Sequence, residues 1–287
     1  MPLALHEQGF DDVVLEKLGI SAQQPDMTQW QSMVDKIMNL KKSVRIALVG
    51  KYVALHDAYM SVYEALRHGG IANDCDIEIK WINSEDLEAE NADLDEYFSD
   101  CDGILVPGGF GDRGIEGKII AVRYAREHSL PFFGLCLGMQ CAVIEYARNV
   151  CGLIDAHSTE FAPESVYPVI DLMEDQVAIE NMGGTMRLGA YPCRVTPGTL
   201  THRAYMDEII YERHRHRYEF NNAFRDLLTA NGLVIGGESP SGRLVEIVEV
   251  KDHPWYVATQ FHPEFKSRPT KPHPLFREFV AASAKFK

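Results

Sequence analysis

One short segment constrains the fold of this chain more than any other: Pro131-Phe132-Phe133-Gly134-Leu135-Cys136-Leu137-Gly138-Met139-Gln140, a cysteine between two glycines at the end of an apolar run. Such a run, ending in Gly-x-Cys-x-Gly, reads as a buried strand turning sharply into a helix. The glycines let the backbone take a strained turn that lifts the side chain between them out of the sheet. A thiol placed there sits at a helix N-terminus, where the amides, the helix dipole and any neighbouring imidazolium favour a thiolate. Cys136 is therefore a candidate nucleophile. A cysteine on an apolar strand without the glycines would read as a small buried hydrophobe.

The pattern around this turn alternates from residue 43 onward. Strands are expected at 44–50, 76–82, 102–106 and 130–135, with helices at 59–67 and 117–127, which predicts an α/β fold with a mostly parallel central sheet and helices on both faces. The second half is richer in strands, at 191–195, 232–235, 244–250 and 255–260, and closes with a helix at 274–284. Residues 156–189 read as irregular, and a glycine-bearing stretch of that length is either a surface loop or a mobile lid. Residues 1–42 hold two amphipathic helical stretches, 11–18 and 28–40, neither able to bury a core alone. The expected division is therefore 1–42 and 43–287.

Charge narrows the partners. With 42 acidic and 28 basic residues the formal net charge is -14, which disfavours nucleic acid and anionic membranes as partners. No secretory leader or membrane-length apolar segment is present, so a soluble, cytoplasmic setting is expected. The six cysteines lack paired C-x-x-C spacing, which points to reduced thiols and away from a zinc site. His214 and His216 share a strand face, but Arg213, Arg215 and Arg217 beside them are expected to repel a metal cation.

A cysteine nucleophile needs a base and a group to orient it. Gln260-Phe261-His262-Pro263-Glu264-Phe265 supplies both, because the apolar strand before it delivers His262 to the sheet edge that also presents Cys136. Glu264 follows across a proline-stiffened turn and can hold the imidazole tautomer as the acid of a serine triad does. Acyl transfer also needs oxyanion donors, and Pro107-Gly108-Gly109-Phe110-Gly111 offers bare backbone after a buried strand. The amides of Gly109 and Leu137 are the natural pair. No Walker lysine pattern is present.

These elements, in this order, resemble the class I glutamine amidotransferases, which have a flavodoxin-like architecture. Segments at 2–12, 106–111, 183–189, 212–221 and 260–265 narrow the resemblance to the glutaminase domain of the CTP synthase family, over nearly the whole chain. That resemblance implies hydrolysis of L-glutamine to glutamate and ammonia through a cysteine thioester. It also implies substrate-binding roles for Gly109, Leu137, Gln140, Glu160 and Arg217. The last two suit a zwitterion, offering a carboxylate for its ammonium and a guanidinium for its carboxylate.

The same resemblance implies a lid at Gly183, Gly184, Thr185, Met186, Arg187, Leu188 and Gly189, through which GTP activates the full enzyme. It assigns ATP, UTP and magnesium to a synthase domain absent here, and no cofactor or metal to this one. Residues 1–42 resemble an interdomain linker, so the chain is expected to be an excised domain with low activity and poor GTP binding; the full-length enzyme would be a homotetramer. Two other readings remain, a guanylate synthetase type of amidotransferase and a catalytically silent binding module. The segments at 183–189 and 213–219 disfavour the first, and an intact Cys136, His262 and Glu264 the second.

Overall fold

The computed structural model describes residues 1–172 and 186–286. Its strands are β1 (Lys42–Gly50), β2 (Cys75–Asn83), β3 (Gly103–Val106), β4 (Phe132–Leu135), β5 (Ala156–Ser158), β6 (Tyr167–Asp171), β7 (Arg187–Val195), β8 (Ile209–His216), β9 (Glu219–Phe220), β10 (Leu233–Glu238), β11 (Val245–Val250) and β12 (Tyr256–Thr259). The helices are α1 (Pro2–Glu7), α2 (Phe10–Leu18), α3 (Thr28–Met38), α4 (Met60–Ala72), α5 (Leu94–Phe98), α6 (Ile115–Glu127), α7 (Leu137–Asn149), α8 (Leu200–Tyr205), α9 (Arg225–Ala230) and α10 (Pro274–Ser283).

Nine strands form the main sheet in the order β2-β1-β3-β4-β12-β11-β10-β7-β8, and β5-β6-β9 form a small second sheet. From β2 to β12 the pairing is parallel. Beyond β12 it is antiparallel. The parallel strands are apolar on both faces because both are covered: in β1, Ala47 and Val49 face one core while Val44, Ile46 and Leu48 face the other. Helices α6 and α7 close the first core, and α4 and α10 the second. The expected α/β fold, with helices on both faces of the sheet, is what forms.

This topology decides where the chemistry can sit. Since β3, β4 and β12 are parallel neighbours, the turns after Val106, Leu135 and Thr259 leave the same edge of the sheet.

Two expectations are corrected. Residues 156–189 are not irregular throughout, because β5 and β6 form there and Arg187, Leu188 and Gly189, expected in the lid, open β7. Pairing to β8 runs from Arg187↔His216 to Arg194↔Ile209, and the Arg187 guanidinium is anchored by Glu246 at 2.8 Å and Glu219 at 3.4 Å. Met186 lies in the bend before β7. Gly183, Gly184 and Thr185 fall outside the described residues. The second correction concerns β8, whose alternation buries His214 and His216 and turns Arg213 and Arg215 to solvent. The cation beside the histidines is Arg187, and burial together with its charge pushes His214 down to about 2 and His216 to about 3. Among the described residues no cluster of three or more His, Cys, Asp or Glu could hold a metal ion.

Helices α1, α2 and α3 bury no residue, in keeping with their patterning. Among the described residues no helix is long and apolar enough to cross a membrane.

Candidate active site

Cys136 stands between β4 and α7 with φ 50° and ψ -99°, a conformation that L side chains rarely adopt. Its amide is fixed by Thr259 O at 2.7 Å. The flanking glycines are steric requirements: a Cβ on Gly138 would lie 2.2 Å from Val106 O, and one on Gly134 would lie 2.8 Å from the Gly138 carbonyl carbon. The helix therefore starts directly against β3. That placement leaves the first-turn amide of Leu137 without an intrahelical acceptor.

His262 follows β12, its amide held by Arg213 O at 2.8 Å, and its Nδ1 lies 2.8 Å from Glu264 Oε1. Glu264 sits in a one-turn 3₁₀ helix whose proline fixes its start. With Nδ1 engaged, Nε2 is left for the sulfur. Burial opposes charge on this imidazole, but hydrogen bonds to Cys136 and Glu264 outweigh it and push His262 up to about 10.

The glycine turn closes the group. A Cβ on Gly108 would stand 3.0 Å from His262 Cε1 and 3.5 Å from Cys136 Cβ, so the turn lies against base and nucleophile at once. A Cβ on Gly109 would stand 3.5 Å from Leu137 Cδ2, so the glycine turn packs against the side chain that follows the nucleophile. Cys136, His262, Glu264, Gly109 and Leu137 thus converge.

Glu160 and Arg217 lie within electrostatic reach of one another. Burial raises the Glu160 carboxyl, opposed by the charges of Arg217 and Lys51. Gln140, only 3% exposed, directs its side-chain nitrogen to Tyr218 O at 3.2 Å and Gln260 Oε1 at 3.4 Å.

Two neighbours were not foreseen. Gln260 is fully buried and its Nε2 lies 3.7 Å from Cys136 Sγ. A glutamine at the end of an apolar strand was the available signal. Lys118, on α6, is 1% exposed and its ammonium has no hydrogen-bond partner, yet it would lie 3.7 Å from a Cβ on Gly109. Nothing in its helical pattern marks it as inward-facing.

Comparison with known proteins identifies the family. Residues 54–282 match the family described as glutamine amidotransferase class-I. The chain belongs to that family. The CTP synthase of Carboxydothermus hydrogenoformans is 62% identical over 285 residues, and that of Clostridium acetobutylicum 61% over 287 residues. These matches take in 99% and 100% of this chain but 53% of each relative, so the chain spans about half their length. A solved glutaminase domain of Trypanosoma brucei CTP synthase, with bound acivicin, is 43% identical with a TM-score of 0.80, over 84% of this chain and 94% of that one. Within the class, the chain groups with the CTP synthase glutaminase domains.

Proposed function

We propose that Cys136, His262 and Glu264 hydrolyse L-glutamine to glutamate and ammonia, and that the ammonia serves amination of UTP to CTP in a full-length enzyme. The Cys136 thiolate attacks the side-chain amide carbon, forming the C–S bond. The oxyanion accepts hydrogen bonds from the Gly109 and Leu137 amides. His262, held by Glu264, gives its proton to the departing nitrogen, and the C–N bond breaks to release ammonia. Neutral His262 then takes a proton from water, whose hydroxide attacks the thioester carbon. The C–S bond breaks and glutamate leaves. Glu160 and Arg217 hold the ammonium and carboxylate of the substrate.

The contact of the Gly108 backbone with both Cys136 and His262 carries this reading, because it joins nucleophile, base and oxyanion turn in one packed group. Acivicin, which occupies the Trypanosoma brucei domain, is the probe. It should label Cys136 covalently, located by peptide mass, and block glutamine hydrolysis. A chain with neither a Cys136 adduct nor glutaminase activity is a silent binding module.

In the full-length enzyme, ATP, UTP and magnesium belong to the synthase domain, and GTP stimulates hydrolysis at the junction between domains. Residues 1–42 act as the linker, and tetramer formation rests on the synthase domain. The net charge of -14 disfavours nucleic-acid and anionic-membrane partners.

A further inference from the structure

The sulfur of Cys136 has more neighbours than a nucleophile and its base require. Arg215 O lies 3.9 Å from Sγ on one side, where a thiol can donate to it, and Gln260 Nε2 lies 3.7 Å away on another. Once the thiol loses its proton, the Arg215 carbonyl becomes repulsive to the sulfur. The Gln260 amide becomes attractive, since it brings an N–H to the anion.

The orientation of Gln260 is set from behind. Gln140 Nε2 donates to Gln260 Oε1 at 3.4 Å and to Tyr218 O at 3.2 Å. Reversing the Gln260 carboxamide would set its NH2 against that of Gln140 and its oxygen against the sulfur, two repulsions in a buried site. We infer that Gln260 is a third catalytic contact of the nucleophile, donating to the Cys136 thiolate, and that Gln140 is the positioning residue that aims it. The Tyr218 carbonyl anchoring Gln140 adjoins Arg217, so the relay ties the sulfur to the segment that holds the substrate carboxylate. This inference rests on the glutaminase reading above.

The test uses this chain, iodoacetamide as the probe of Cys136, and glutamine turnover. Gln260→Met keeps the length of the side chain and removes the donor. We expect alkylation of Cys136 near neutral pH and kcat for glutamine both to fall by about 10- to 100-fold, the loss of a hydrogen bond to a charged group. The KM for glutamine should stay near the wild-type value. Gln260→Glu, which presents a carboxyl oxygen to the sulfur, should lose at least as much. Gln140→Leu should also lower kcat, and the Gln140→Leu, Gln260→Met double variant should be no worse than Gln260→Met alone. A purely structural role would lower the Tm and leave the alkylation rate of the folded protein unchanged. Wild-type alkylation and turnover in Gln260→Met would overturn the inference, and additive losses in the double variant would overturn the role of Gln140. A wild-type chain that turns over no glutamine would instead sink the glutaminase reading itself.

Discussion

The ring of His262 fills the space that a side chain on Gly108 would need, with Cε1 3.0 Å from the Cβ position. Glycine in the oxyanion turn is thus a steric condition for the base to reach the nucleophile, as well as a source of bare amides. The arrangement makes four outcomes measurable.

Cys136 stores backbone strain at φ 50°. Cys136→Ala and Cys136→Gly should both abolish glutamine hydrolysis, but the glycine variant should be the more stable by about 1 kcal/mol, because only glycine adopts this conformation freely. Urea unfolding of the two variants measures the difference. Equal stabilities would show that the turn is unstrained.

His262 is pushed up to about 10 in the folded chain from an ordinary value of 6.5. A raised folded pKa means that the folded state holds a proton the unfolded state has lost, so its stabilisation is fully present below pH 6.5 and is lost as pH rises through about 10. Where Cys136 supplies that proton and stays a thiolate the pair binds no extra proton, so stability should fall across that interval by well under the roughly 1.4 kcal/mol per pH unit of one whole proton, the remainder being set by Glu264. His262→Gln should flatten the slope. An identical pH dependence of unfolding free energy in the variant would contradict the assignment.

Arg217→Ala and Glu160→Gln each remove one charge expected to meet the substrate. Each should raise the KM for glutamine by about 10- to 100-fold with a smaller effect on kcat. Steady-state kinetics separates the two, and an unchanged KM would remove that residue from the substrate site.

Lys118 carries a buried ammonium with no hydrogen-bond partner, and burial pulls its pKa below the ordinary lysine range. Lys118→Met should raise the Tm, with a gain of about 1–3 kcal/mol, since an apolar side chain of similar length avoids the cost of burying the charge. Thermal unfolding decides it. A lower Tm would show that the ammonium has a stabilising partner.

Much of the fold was legible because its strands and helices are spelled by contiguous residues. β1 was expected at 44–50 and spans Lys42–Gly50, and the closing helix was expected at 274–284 and spans Pro274–Ser283. The strands β5, β6 and β9 were not legible. They are three, five and two residues long, too short for a period, and they exist because they pair with one another. The start of β7 was misread for a related reason. Arg187 followed by Leu188 and Gly189 has the composition of a loop, and pairing to β8 together with Glu219 and Glu246, distant in sequence, makes it an anchored strand.

The candidate site divides in the same way. Residue order alone determined the nucleophile turn, the glycine turn and the His-Pro-Glu segment, because each is a local conformation written by adjacent residues. Only the tertiary structure decided that they meet, through the parallel registers that set Gly134 opposite Val106 on one side and Ala258 on the other. It also decided the inward aim of Gln140, the contact of Gln260 with the sulfur and the burial of Lys118. Each of these depends on hydrogen bonds and packing between strands and helices far apart in the chain, which no local pattern of residues encodes.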